Sequence, residues 1–493
     1  MSAELILAGA RFAGADDLVD VHVADGRIAA IGPADSLAGG GHVERLDLDG
    51  RTLVPGLVDG HVHFSQWAQA ARRFDVSGAT SAAEAVALAG AARDRAAGPD
   101  PVVGFGYRDG LWPDAPSVAA LEERTAGHPV LLISADLHSA WLNRAALTRF
   151  GADPATEGLL REDDAFAVLR ALEAVEDDVL DGWTADAART AAARGVTGIT
   201  DLEMRWNLDD WRRRAARSPL DLRVAFGVYT LDLDRALALG LATGQVVAGT
   251  DGLVEVGPYK VITDGSLNTR TAWCFDPYEG LAHDAHPHGL STVPFDELVP
   301  LLERASAGGF RVAVHAIGDR ANAVVLDAFA ATGAQGSVEH AQLLRHEDVA
   351  RFAELGVVAS VQPEHAMDDR DVAERYWAGR TDRAFLLRDL ADAGVELALG
   401  SDAPVAPLDP WISIAAAVER SRDGRTPWHP EQSIEAAVAL AASTGGRGIR
   451  PAVGEAADLA VLGADPLRVE PAELRTLPVA LTLLAGRITH DAR

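Results

Sequence analysis

Lysine is almost absent from this chain. Of its 44 lysines and arginines, only Lys260, in EVGPYKVITDGS, is a lysine. Cysteine is nearly as scarce. A lone Cys274 excludes an internal disulfide and fits a reducing compartment. No apolar run approaches eighteen residues without a charge, so no membrane-spanning helix is expected. The opening MSAELILAGARFAGADD has no basic stretch ahead of its apolar patch and does not read as a signal peptide. Positive charge is scattered, and a net charge of −29 argues against nucleic acid as a partner. What is present, 48% hydrophobic and 24% charged residues over 493 positions, is the composition of a globular protein with more than one domain. The expected setting is cytoplasmic.

The solitary lysine has two readings. It is a leftover of arginine bias, or its position needs an amine. Arginine stays protonated, whereas a buried lysine can lose its proton and react.

Residues 1–52 read as short strands and turns, LILAGARFAG and then DVHVADGRIAAIG with an Asp-Gly hairpin signal. Residues 450–493 read alike, with ADLAVLGADP and VALTLLAGRITH. Two β-rich ends predict one small β-sandwich shared between them, although separate end modules would show the same pattern. Residues 53–449 alternate short apolar strands with Ala/Leu-rich segments of helical period, the pattern of a parallel α/β fold. Strands are predicted at 57–63, 196–202, 223–230, 258–265, 310–318, 336–342, 357–363 and 395–404. Eight is the number that closes a (β/α)8 TIM barrel; an open doubly wound sheet is the alternative. Residues 65–185 are far longer than a crossover needs and read as an insertion over the barrel mouth, a lid that shapes specificity.

His61 and His63 fall two apart at the end of the first predicted strand, so their side chains share a face. Such a pair alone carries little. Its companions carry more: His315 ends RVAVHAIG, His340 ends SVEHAQ, Asp402 ends LALGSDAP, and Lys260 interrupts PYKVITDG. Burying these groups at strand ends is costly unless they bind something in common, and a divalent metal satisfies imidazoles and carboxylates together. Beside metal ions the lysine must be neutral or modified. A neutral amine can take up CO2 to form a carbamate whose two oxygens bridge two cations, which arginine cannot do.

The stretches PGLVDGHVHF, GYRDGLWPD, HPVLLISADLHSAWLNRAAL, GVTGITD, YKVITDGSLNTRTAW, VAVHAIGDRA, VEHAQL, SVQPEH, LALGSDAPVAPLDP and GEAADLAVLGADP resemble, in order, the amidohydrolase superfamily. Within it the chain is similar to the amidohydrolase 3, YtcJ-like branch that includes N-substituted formamide deformylases. The resemblance spans essentially the whole chain. It implies a (β/α)8 barrel plus a β-sandwich from both ends. It also implies two divalent metal ions, zinc first. His61, His63, Asp402 and carboxylated Lys260 would hold one; the same carbamate, His315 and His340 would hold the other. Metal-activated water would attack a carbonyl while Asp402 accepts and returns the proton. The expected reaction is hydrolysis of a non-peptide C–N bond in a small amide, an N-substituted formamide or a cyclic amide. A homodimer is the expected assembly.

His138, in ADLHSAWLN, belongs to the insertion and matches a family motif; it faces substrate as a second catalytic group or makes a lid hydrogen bond. His365, in SVQPEHA, and Asp264, Arg270 and Trp273, in DGSLNTRTAW, are further substrate-side candidates, although Asp264–Gly265 also reads as a plain turn. Trp67 and Trp112 are candidate apolar walls or core residues. His283, His286 and His288 read as a solvated loop. Two competing readings are the same site acting on an ester, lactone or carbamate, and a non-catalytic binding protein on the same barrel.

Overall fold

A computed structural model describes residues 4–37, 43–125, 127–153, 156–172 and 175–493. Eight parallel strands stand side by side in chain order: β1 (Leu57–Val62), β2 (Val196–Asp201), β3 (Arg223–Tyr229), β4 (Val254–Ile262), β5 (Val312–Ala316), β6 (Gly336–His340), β7 (Val358–Val361) and β8 (Leu397–Leu399). Their runs of Val, Ile and Ala suit strands covered on both faces, and every residue of β5 is buried. Helices such as Asp319–Thr332 and His346–Leu355 connect them on the outside. Each of these two ends on a glycine in the left-handed region, Gly333 (φ 62°) and Gly356 (φ 63°), which turns the chain back toward the next strand.

The first and last strands meet through a bridge between Val62 and Ala403. Asp402 N–H donates to the His61 carbonyl at 2.7 Å, and His63 N–H to that of Ala403 at 2.8 Å. The sheet thus all but closes into the barrel expected from the eight strand signals. The predicted eighth strand, 395–404, is cut to three residues. Beyond it the backbone leaves extended geometry so that Asp402 (φ 55°) can turn into the mouth.

Both chain ends contribute to one eight-stranded sheet. Thr52–Pro55 pairs with Leu459–Leu462, which continues through Val479–Leu484 to Arg487–Asp491. Leu5–Phe12 is the shared strand, pairing with Val19–Ala24 and Glu44–Asp47 along its first part and with Thr52–Pro55 at its end. Leu7, Val21 and Leu46 from one half share an apolar cluster with Leu53, Val461 and Leu481 from the other.

Between β1 and β2 the chain builds a separate five-stranded sheet. It consists of Phe74–Asp75, Val102–Tyr107, Val130–Ser134, Ser139–Leu142 and Leu159–Arg161. Helices including Ala82–Arg95 and Asp163–Leu172 pack on it. This cap supplies Leu137, His138, Phe166 and Leu169 to the wall of the barrel-mouth cavity. No helix among the described residues is long and apolar enough to cross a membrane.

Candidate active site

Parallel strands of a barrel end at one rim, so side chains at their carboxyl ends converge. A cavity of about 260 Å3 opens there, and His61, His63, Lys260, His315, His340 and Asp402 all line it. His63 Nε2 lies 3.2 Å and His61 Nε2 3.4 Å from Asp402 Oδ1. Lys260 Nζ lies 3.5 Å from His61 Nε2. The His315 and His340 rings are 4.4 Å apart, centroid to centroid. His61, His63 and Asp402 form one set of donor atoms mutually within 4.8 Å; His340, His365 and Asp402 form a second. His365 therefore stands closer to the centre than a wall position implies, with Nε2 3.8 Å from Asp402 Oδ2.

Burial decides the ionisation of these groups. It pushes His61 down to about 4, helped by the Lys260 charge, and His340 well below the ordinary histidine range, helped by His315. Both are neutral imidazoles near pH 7, with a lone pair to offer. Burial likewise lowers the Lys260 ammonium, against the pull of Glu339 and Asp402. That favours the free amine.

The backbone at this rim is unusual. His340 (φ 73°), Ala341 (φ 43°) and Asp402 (φ 55°) occupy the left-handed region without being glycine, at a cost of about 1–3 kcal/mol each. Hydrogen bonds hold the turn after β8: Ala403 N–H donates to Ser401 Oγ at 3.0 Å, and Val405 N–H to the Asp402 carbonyl at 2.8 Å.

Four residues expected at the substrate face stand off the cavity wall. Asp264 is fully buried and spends its carboxylate on the backbone N–H groups of Trp273, Ile317 and Gly318, at 2.8–3.0 Å. Arg270 packs over the Tyr376 ring, 5.6 Å from its centroid. Trp273 lies against the barrel core beneath Arg320, and Trp112 packs on Tyr107 in the cap with Nε1 donating to the Ala79 carbonyl. His138 does line the cavity, its ring 6.3 Å from that of His315. His283 and His286 are exposed.

Among the carboxylates that escaped the sequence reading are Glu339 and Glu162. Glu339 Oε2 accepts from His61 Nδ1 at 2.7 Å and from Ser360 Oγ at 2.7 Å, which aims His61 Nε2 at the cavity. Strand alternation puts neighbours Glu339 and His340 on opposite faces, so one of them is discounted. The left-handed turn at His340 overrides that rule. The polar i, i+2 pair Ser337 and Glu339 on a buried strand was the available signal. Glu162, in the cap, accepts from His138 Nδ1 at 2.8 Å. Only the fold brings these two together.

The donor set fits divalent cations. His63 Nδ1, His315 Nε2, His340 Nδ1 and His365 Nε2 are buried with no hydrogen-bond partner among the described residues. A buried polar atom left unsatisfied costs about 1–3 kcal/mol. Neutral imidazoles beside one carboxylate are the ligands that suit zinc and similar metals.

Residues 44–490 match the amidohydrolase family Amidohydro_3. YtcJ of Bacillus subtilis (strain 168), described as an amidohydrolase, is 28% identical over 96% of this chain and 96% of its own. The N-substituted formamide deformylase of Arthrobacter pascens is 26% identical over 96% of this chain and 94% of its own. A metal-dependent hydrolase of Pyrococcus horikoshii OT3 superposes with a TM-score of 0.79 at 24% identity, covering 95% of this chain and 99% of its own. With the family matched over nearly the full length of the chain and the barrel-mouth histidines and aspartate gathered as candidate metal ligands, the chain belongs to the amidohydrolase family, on its YtcJ-like branch.

Proposed function

We propose that the protein hydrolyses a non-peptide C–N bond in a small amide, an N-substituted formamide or a cyclic amide, using two divalent metal ions, zinc first. The observation that carries this reading is the convergence on one cavity of His61, His63 and Asp402, within metal-binding distance of one another, with Lys260 Nζ 3.5 Å from His61 Nε2. Similarity to an N-substituted formamide deformylase along nearly the whole chain supports the substrate class.

His61, His63, Asp402 and a carboxylated Lys260 would hold one cation; the carboxylated Lys260, His315 and His340 would hold the second. Bound divalent metal supplies two things: it lowers the pKa of water from about 15.7 toward about 7, and it polarises a carbonyl. The chain does the rest. Asp402 takes the proton of the attacking water and hands it to the leaving nitrogen. Glu339 fixes the His61 ring through Nδ1. The cap lines one side of the mouth, and Leu137, Phe166 and Leu169 give the substrate's substituent an apolar wall.

Elemental analysis of protein expressed with added zinc, paired with hydrolysis assays on N-substituted formamides, hydantoins and lactones, tests the reading. About two metals per chain with turnover of an amide supports it. Fewer than about 0.5 metal per chain with no turnover in the panel would overturn it, and turnover of lactones alone would move the reaction to C–O bonds.

A further inference from the structure

The cap carries a histidine–carboxylate pair outside the metal-ligand set. Glu162 directly follows the strand Leu159–Arg161, which pairs antiparallel with Ser139–Leu142. Its backbone N–H donates to the His138 carbonyl at 3.0 Å, so the fold of the cap sheet sets the two side chains next to each other. His138 Nδ1 then donates to Glu162 Oε2 at 2.8 Å.

The other Glu162 oxygen is used as well. Oε1 accepts from Thr271 Oγ1 at 2.6 Å and from Thr269 Oγ1 at 3.1 Å. Both threonines lie on the segment that leaves β4, the strand of Lys260. A second latch runs beside the first. Asp136 Oδ1 accepts the His138 N–H at 3.2 Å, and its Oδ2 accepts from Ser266 Oγ at 2.8 Å. The pair is therefore fixed to cap and barrel at once.

The ring has one nitrogen left. Nδ1 and Nε2 diverge across an imidazole, and with Nδ1 committed to Glu162 the Nε2 is the one free to meet a molecule in the cavity that His138 lines. Burial works against a charge here, with side-chain exposures of 12% for His138 and 18% for Glu162. The Glu162 carboxylate outweighs it and raises the His138 imidazole, favouring the form that carries a proton on Nε2 as well as on Nδ1.

We propose that Glu162 is a positioning residue for hydrolysis, holding His138 so that its Nε2–H donates to the oxygen of the scissile carbonyl while Thr269 and Thr271 latch the cap to the barrel. No group is transferred. His138 keeps its proton, and the hydrogen bond strengthens as charge develops on that oxygen, which is the condition for lowering a barrier rather than improving ground-state binding. Among the described residues the hydrogen bonds of the Glu162 carboxylate go to His138, Thr269 and Thr271, so it acts on the reaction through His138. The inference rests on the hydrolase reading above.

The test is a double-mutant cycle on metal-loaded enzyme with its best amide substrate. Glu162→Gln is expected to lower kcat about 10- to 100-fold, less than the ~10²–10³ that follows complete removal of an oxyanion donor. KM should stay within about threefold and metal content should be unchanged. In a His138→Ala background, or His138→Gln if the first does not fold, Glu162→Gln should cost less than about twofold more. An unchanged kcat, a loss confined to KM, or equal losses in both backgrounds would overturn the proposal. A readout independent of turnover separates its failure from that of the parent reading. In protein labelled with 15N-histidine, the low-field Nδ1 proton of His138 should be present in the wild type and lost in Glu162→Gln. If no amide or ester is turned over, the parent reading falls; if that proton is unaffected by the substitution, this one does.

Discussion

Glu339 and His61 lie 278 residues apart in sequence, yet a 2.7 Å hydrogen bond joins Oε2 to Nδ1 deep in the barrel mouth. Burial alone would raise the Glu339 carboxyl. The hydrogen bond from His61 is the largest opposing cause and brings it down to about 2, so it is ionised at neutral pH. A ring fixed in this way presents one nitrogen to the cavity. Glu339→Gln removes the charge at nearly constant volume and is expected to weaken metal binding about 10- to 100-fold. Competition against a chelator of known affinity measures it; unchanged affinity would mean that the Glu339 charge does not tune the His61 ligand.

Lys260 is expected to work as a carbamate. Lys260→Arg places a permanent cation next to His61 and offers no amine for CO2. Metal content should fall from about two per chain to one or none, with the far-UV circular dichroism retained. Wild-type protein equilibrated with 13C-bicarbonate should show a carbamate carbon resonance that the variant lacks. Full metal loading of Lys260→Arg would make the lone lysine an accident of composition.

How much of this was legible beforehand follows from which rules act locally. The eight barrel strands announced themselves as short apolar runs, and polar groups at the ends of such runs marked His61, His63, Lys260, His315, His340 and Asp402 as the set lining one cavity. Strand boundaries were less legible. The eighth was overdrawn because a left-handed Asp402 cannot be read from LALGSDAP. The same limit hid Glu339, whose face is set by a positive φ at the next residue. Glu162 and Thr271 are 109 residues apart and meet only because the cap folds onto the barrel. Asp264, Arg270 and Trp273 follow Lys260 closely in sequence, but the chain there turns inward, so nearness to the lysine did not bring them to the cavity wall.

Gly400, directly after β8, lies against His61 of β1. A Cβ on it would fall 2.8 Å from the His61 backbone nitrogen and 2.9 Å from the His61 Cβ. Backbone cannot yield as a flexible side chain can. Gly400→Ala should therefore destabilise the protein by about 1–3 kcal/mol and reduce metal retention by moving His61. Gly182→Ala is the control: it lies within the helix Asp177–Ala192, and its Cβ would meet nothing within 4 Å. Replacing a helical glycine there should stabilise by up to about 1 kcal/mol. Equal effects in the two variants, read by urea titration, would exclude the contact with β1 as the cause.

The His138–Glu162 pair also makes a prediction about pH. Burial opposes ionisation of Glu162, but the His138 charge and hydrogen bond take it from 4.5 down to about 2, so its contribution is present above pH 4.5 and lost as pH falls toward 2. His138 is raised from 6.5 to about 9, so its contribution is complete below pH 6.5 and lost as pH rises through 9. Both shifts report one interaction and are not summed. In metal-free protein, the stability gap between wild type and Glu162→Gln should be widest between pH 4.5 and 6.5. It should narrow toward pH 9. A gap that widens with pH would reverse the assignment of charge.

Removing metal should cost stability as well as activity, because the buried His315 Nε2 and His340 Nδ1 then lack any hydrogen-bond partner among the described residues. A ligand that binds only the folded state stabilises it by RT ln(1 + [L]/Kd), about 4.1 kcal/mol at a thousandfold excess over Kd. Chelation should therefore lower Tm, and added zinc should restore it in proportion to the logarithm of its concentration. His63→Ala discards a donor whose Nε2 lies 3.2 Å from Asp402 Oδ1. If that weakens binding a hundredfold, about 2.8 kcal/mol of the zinc-dependent stabilisation disappears. The effect on the chelated protein should be much smaller, since no metal is there to lose. A zinc response of equal size in wild type and His63→Ala would remove His63 from the ligand set.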